Sequence, residues 1–232
     1  MNGFLLINKP TGITSYDVIR HLKKILPKKT KIGHSGTLDP FATGLMIIAI
    51  GRNYTKQLNT LLNLDKTYLA DITFGIETDS YDIDGAVVKN HPHPLNLTLD
   101  NVQSELAAFK GDIDQLPPAF SAKKINGTPA YKLARNGHAV ELKPSRVSIY
   151  DLNIITSDLS EKNTLSLSVH CSKGTYIRSL AHDIGQALGV GGHLSKLLRT
   201  RIGSHCVDNA WALSQLTSDT DLSRALIDTL DV

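Results

Sequence analysis

Gly33-His34-Ser35-Gly36-Thr37-Leu38-Asp39-Pro40-Phe41-Ala42-Thr43-Gly44 leads directly into the apolar run Leu45–Ile50. The first part reads as a loop and the second as a short buried strand. Its three glycines let the backbone approach whatever binds there. Pro40 turns Asp39 away from helical geometry, so the carboxylate sits on extended or turning backbone. An isolated Asp-Pro pair does no more than open a turn. Two other motifs fail on the same letters. No Gly-Lys-Ser/Thr follows Gly36 or Gly44, so this is not a P-loop. Gly33-His34-Ser35-Gly36-Thr37 lacks the last glycine of a serine-hydrolase elbow.

Outward from this segment the chain alternates strands and helices irregularly. Phe4–Ile7 is a short strand closed by Lys9-Pro10-Thr11-Gly12. A helix begins after Thr14 or Ser15, carries Val18, Ile19, Leu22, Ile25 and Leu26, and ends at Pro27. A further helix is predicted around Asn53–Leu62. A strand follows from Lys66 to Phe74 with Tyr68, Ala70, Ile72 and Phe74 on one face. Thr98 caps a helix stopped by Gly111, and Thr128-Pro129 opens another ending near Asn136-Gly137. Strands are expected at Arg146–Ile155 and Thr164–Cys171, then a helix from about Thr175 to Leu188. The absence of regular βαβ alternation makes the class α+β, with a mixed, largely antiparallel sheet flanked by helices and loops.

The composition is that of a globular chain, 232 residues with 41% hydrophobic and 20% charged. The longest apolar run, Leu45–Ile50, is far short of the roughly 20 residues that cross a bilayer. No membrane partner is expected, and the N-terminus does not read as a signal peptide. Cys171 and Cys206 fit no metal-ligand spacing and read as thiols in a reducing, cytoplasmic compartment. The net charge is +3, yet Arg20, Lys23, Lys24, Lys28, Lys29 and Lys31 lie between Val18 and Leu38 with no acid among them. Lys123, Lys124, Lys132, Arg135, Lys143 and Arg146 face only Glu141 between Ala119 and Tyr150. Such segregation suits a polyanion, although a solvated surface of uneven charge has the same composition. The stretch at about 120–145 reads as a basic excursion from the sheet.

Three separated segments resemble the bacterial tRNA pseudouridine-55 synthases of the TruB type. They are the Gly33–Gly44 loop, Asp65-Lys66-Thr67-Tyr68, and Cys171-Ser172-Lys173-Gly174-Thr175-Tyr176-Ile177-Arg178. Asn8-Lys9-Pro10-x-Gly12 and Pro117-Pro118-x-x-Ser121-Ala122-x-Lys124 add to the match, which runs in order from about residue 3 to 203.

The resemblance implies a pseudouridine synthase fold and an enzyme, a tRNA pseudouridine(55) synthase, acting on the T-arm. The reaction breaks N1–C1′, rotates the uracil and joins C5 to C1′, so it calls for neither redox cofactor nor metal. It implies that Asp39 is the catalytic carboxylate, already ionised at neutral pH without an activating base. Arg178 would pair with that aspartate and keep it charged. Tyr68 and Tyr176 would receive the flipped uracil, since flipping costs a few kcal/mol and stacking returns about 1–3. His34 would fill the space the nucleotide leaves, and Leu197 would close the pocket. Taken singly, Arg178 reads as an exposed helix residue, and Tyr68, Tyr176 and Leu197 as core. Lys66, Lys123, Lys124, Arg135, Arg199 and Arg201 are candidates for RNA contact, with the 120–145 insertion gripping the T-arm.

The catalytic domain is expected over 1–203, and 204–232 as a short helical tail without the PUA domain of longer members. A monomer is expected. Two rival functions stand beside the enzyme: a non-catalytic tRNA-binding or folding protein, and a pseudouridine synthase acting on another RNA.

Overall fold

The computed structural model describes residues 1–121, 123–125, 127–136, 140–217 and 222–230. In chain order its elements are β1 (Gly3–Lys9), α1 (Ser15–Ile25), β2 (Ile32–His34), β3 (Thr43–Ile50), α2 (Arg52–Thr55), α3 (Leu58–Asn63), β4 (Lys66–Phe74), β5 (Ile76–Thr78), β6 (Val87–Asn90) and α4 (Leu99–Ala107). There follow β7 (Gly111–Gln115), β8 (Lys124–Ile125), β9 (Thr128–Pro129), α5 (Ala130–Arg135), β10 (Ser145–Asp158), β11 (Thr164–Cys171), α6 (Ile177–Ala187), β12 (Gly192–Ile202), β13 (His205–Cys206) and β14 (Trp211–Ala212). The class is α+β with mostly antiparallel pairing, as expected. The chain divides into two compact units: Met1–Leu69 with Leu197–Val232, and Ala70–Lys196.

In the first unit, β3 is the central strand. Seven of its eight residues are buried, which matches an apolar run too short for anything but a core strand. β1 pairs with it antiparallel from Gly3↔Ile50 to Lys9↔Gly44, and β2 pairs antiparallel at Ile32↔Ile50 to His34↔Ile48. β12 joins β3 in parallel through Leu198↔Thr43 and Arg199↔Gly44. Phe4, Leu6, Leu45, Ile47, Ala49, Leu61 and Ile202 form the core here, with Tyr54, Leu58 and Leu64 packed against it.

Helix α1 starts where the sequence places it. Thr14 and Asp17 form a reciprocal capping box, and Val18, Ile19 and Leu22 are buried. It stops because Leu26, ahead of Pro27, is extended. The single helix predicted over Asn53–Leu62 is instead two short ones. Thr55 Oγ1 donates to the Arg52 carbonyl (3.1 Å) and Gln57 Nε2 to that of Asn53 (3.3 Å), local bonds that compete with a continuous helix.

The tail after residue 203 departs from expectation in kind. It forms β13, β14 parallel to β1, and single 3₁₀ turns at Val207–Asn209, Leu213–Gln215 and Leu222–Arg224. Segments this short cannot repay helix nucleation, so packing of Leu216 and Leu222, both buried, holds them.

In the second unit the strand order is β4-β11-β10-β7. β10 pairs antiparallel with both β11 and β7. Along β4, Tyr68, Ala70, Ile72 and Phe74 are all buried, the alternation predicted for that strand. Thr98 caps α4 by accepting from the Asn101 amide. Within the 120–145 insertion, β8 and β9 form a small hairpin ahead of α5. No helix among the described residues is long and apolar enough to cross a membrane.

Candidate active site

The loop bearing Asp39 is held at nearly every residue. Leu38 donates its amide to Ser15 Oγ (2.8 Å), and Ser15 Oγ donates to the Leu38 carbonyl (3.0 Å). On the other side, the Pro40 carbonyl accepts from the Gly12 amide (2.8 Å) and from Lys9 Nζ (3.3 Å). Thr11 Oγ1 donates to the Phe41 carbonyl (3.0 Å), and the Ala42 amide donates to the Asp39 carbonyl (3.2 Å). Asp39, half-buried, is thus flanked by two anchored peptide groups. Few backbone torsions are left for it to lose on binding.

Two buried cations underlie this loop. Arg199, only 1% exposed, donates from Nε to the Leu45 carbonyl (2.7 Å) and from Nη2 to the Gly36 carbonyl (3.2 Å). It therefore ties the beginning of the loop to the strand that follows it. Gly44 is what allows this approach: at φ +112° a Cβ there would lie 2.3 Å from the Arg199 carbonyl oxygen. Lys9, fully buried, donates also to the carbonyls of Pro10 (2.9 Å) and Ile13 (2.8 Å). Burial lowers its pKa to about 8; Arg199 adds to the fall, and Asp39 and Asp17 oppose it.

His34 ends β2 half-buried. Burial first, and the Arg199 charge second, hold its imidazole below the ordinary histidine range, against a smaller upward pull from the Gly36 backbone. The ring is therefore neutral at pH 7. Tyr68 and Leu197 are buried on β4 and β12. In this unit the geometry places His34, the Asp39 loop and Arg199 in one neighbourhood.

The second unit carries the other predicted residues. Tyr176 caps α6, its amide donating to Gln115 Oε1 (2.7 Å) while Gln115 Nε2 donates to its carbonyl (3.0 Å). Arg178 follows on the first turn and is buried, unlike the exposed helix residue that its position alone suggests. Nη1 lies 3.2 Å from Asp82 Oδ2 and 3.1 Å from the Ser80 carbonyl; Nη2 donates to the Phe120 carbonyl (3.0 Å). Asp82 is itself secured, Oδ1 accepting from Ser80 Oγ (2.6 Å) and the Asp84 amide (3.1 Å). Sequence reasoning missed Asp82, since no motif or local spacing marks it as the partner of Arg178. Lys9, in the Asn8-Lys9-Pro10 segment, carried no expected role.

Two of the residues expected to contact RNA are buried. Lys66 is buried, and its ammonium donates to the carbonyls of Leu62 (2.7 Å) and Leu64, the end of α3. Arg199 is buried in the loop, as above. Both cations are buried and donate to backbone carbonyls, which helps satisfy those acceptors away from water. Arg135 and Arg201 are exposed, Arg135 over the Tyr131 ring and Arg201 donating to the Ser204 carbonyl (3.0 Å). Lys123 is half-buried and donates to Ser145 Oγ (2.5 Å) and the Lys143 carbonyl (3.2 Å). The side chain of Lys124 and residues 122, 126 and 137–139 of the insertion lie outside the described residues. Among the described residues no group of His, Cys, Asp and Glu is arranged to hold a metal ion.

Comparison with known proteins follows the same residues. The model of the TruB family pseudouridylate synthase N-terminal domain matches residues 23–177, and that of the tRNA pseudouridylate synthase B C-terminal domain matches 178–231. The chain is 45% identical over 98% of its length to a tRNA pseudouridine synthase B from Protochlamydia amoebophila (strain UWE25), of which it covers 84%. It is 43% identical over 93% of its length to the protein of that name from Caldanaerobacter subterraneus subsp. tengcongensis, covering 74%. Among solved structures, a Cbf5-Nop10-Gar1 complex contains a chain 29% identical with TM-score 0.68; the match covers 92% of this chain and 53% of that one. With both family models matched in sequence and the relatives covered over most of their length, the chain belongs to the TruB family of pseudouridylate synthases.

Proposed function

We propose that this chain isomerises uridine to pseudouridine at position 55 of the tRNA T-loop, with Asp39 as the catalytic carboxylate. The observation that carries this is the immobilised loop around Asp39, pinned on both sides by Ser15, Gly12 and Lys9, in a chain of this family. The net chemistry is balanced internally. The N1–C1′ bond breaks, the uracil turns, C5 bonds to C1′, and the proton leaving C5 is matched by one gained at N1. An ionised carboxylate serves either route, adding to C1′ or accepting the C2′ proton as a glycal forms.

Tyr68 and Tyr176 offer the extruded base new stacking partners, His34 occupies the gap in the RNA, and Leu197 closes the pocket. Arg178, held by Asp82, supplies positive charge beside the developing anion. Arg135, Arg201, Lys123 and Lys124 meet phosphates of the T-arm.

The test uses T-arm RNA tritiated at uracil C5. Tritium release by the wild type, reduced on the order of 10³-fold or more in Asp39→Ala, is the expected result. Binding without release would mean a tRNA-binding protein, and release only from a different RNA would mean another substrate.

A further inference from the structure

One face of α6 carries more than Arg178. Residues four apart on a helix lie one above another, and here Arg178, His182 and Gln186 each reach the same segment, Glu77 to Asp82. Arg178 grips Asp82 and the Ser80 carbonyl. His182 stacks on Tyr81 with ring centroids 3.9 Å apart and planes 11° from parallel. Gln186 Nε2 donates to Glu77 Oε2 (2.7 Å), whose other oxygen meets His91 Nε2 at 2.6 Å.

Tyr81 stands out within this ladder. It adopts φ +63°, a conformation rare for a bulky side chain. Its backbone is tied on both sides, the amide to the Thr78 carbonyl (3.2 Å) and the carbonyl to the Leu194 amide (3.0 Å). Its two neighbours in sequence are the residues that hold Arg178. The left-handed turn thus sends residues 80 and 82 toward the guanidinium and the Tyr81 ring toward His182. His182 Nδ1 is buried with no hydrogen-bond partner among the described residues. The fold therefore uses the ring's face there rather than that nitrogen.

We propose that Tyr81 and His182 are positioning residues: their stack registers the 80–82 turn on α6 and so fixes the orientation of the Arg178 guanidinium. This rests on Arg178 acting in pseudouridine formation as proposed above. The ladder does not touch the reacting atoms; it acts through Arg178.

The experiment compares wild type, His182→Ala, His182→Phe, Tyr81→Gly and Tyr81→Phe as full-length proteins. Single-turnover tritium release and T-arm RNA affinity are measured, together with the Arg178 Nε–H resonance in ¹⁵N-arginine-labelled protein, assigned with Arg178→Lys. His182→Ala and Tyr81→Gly are expected to slow turnover about three- to tenfold, the range an aromatic pair's interaction translates into. RNA affinity should stay unchanged, and the Arg178 resonance should shift or broaden. Both phenylalanine variants should retain wild-type behaviour. A wild-type rate in His182→Ala, a His182→Phe as slow as His182→Ala, or a loss confined to affinity would overturn the proposal. If the wild type itself releases no tritium, the proposed function has failed. The resonance still decides the ladder: an unmoved signal in His182→Ala overturns it.

Discussion

The two units each bury an arginine beside a residue proposed for the chemistry, and they satisfy it differently. Arg199 is solvated by the neutral carbonyls of Gly36 and Leu45. Its charge is felt at Lys9 and His34, whose pKa values it helps to lower. Arg178 sits against a carboxylate, Asp82, and bridges the carbonyls of Ser80 and Phe120 from separate segments. Arg199 gives a loop its shape; Arg178 gathers pieces of chain around a presented charge. Burial of a cation therefore does not identify its role. What it is paired with, and how many segments it joins, does.

The largest expected effect tests the Arg178 side. Arg178→Met leaves the Asp82 carboxylate buried without its guanidinium and should cost about 3–5 kcal/mol in urea unfolding. The double variant Arg178→Met/Asp82→Asn should recover much of that stability but no tritium release. If the double variant is as unstable as the single, the pair is not the anchor described here. Next comes Gly44→Ala, which meets the Arg199 carbonyl and a positive φ together. It should lose roughly 3 kcal/mol and slow turnover through a displaced Asp39 loop; a neutral substitution would remove the case for close β3–β12 packing. Arg199→Met should cost about 2 kcal/mol, because carbonyls rather than a charge lose their partner. A loss equal to that of Arg178→Met would erase the contrast.

The smallest effects are in pH. Lys9 has a folded pKa of about 8 against an ordinary 10.5. Between those values the folded state binds fewer protons than the unfolded, so this group's contribution to stability rises with pH. Lys9→Met should remove that rise from stability curves measured between pH 7 and pH 10. Asp183 runs the other way. Burial raises its pKa to about 6 from 3.8, so its contribution falls as pH climbs through that window. Asp183→Asn should therefore raise Tm more at pH 7 than at pH 4, and an equal shift at both would contradict the assignment.

Much of the frame was legible in the chain because its signals are local. The Thr14 cap, the Pro27 stop and the period-two face from Tyr68 to Phe74 depend on neighbours within a few residues, and each element lies where expected. The burial of Lys66 and Arg199 was not legible, because their carbonyl partners are decided by packing. Leu62 and Leu64 accept from Lys66 only because α3 ends there, and Gly36 and Leu45 accept from Arg199 only because β12 lies parallel to β3. The tail was expected to be helical, yet 3₁₀ turns bury Leu216 and Leu222 without a regular helix.

Residue order alone was enough to place Asp39 in a glycine-bordered loop, Tyr68 on an inward face and Arg178 at a helix start, since torsional preference and periodicity act over short stretches. Tertiary structure decided which charges face water, which carboxylate meets Arg178, and that Tyr81 and His182 stack. Those outcomes turn on the cost of leaving a buried polar group unpaired, and the partners that meet it lie far along the chain, 98 residues away for Ser80 and Arg178 and 163 for Gly36 and Arg199.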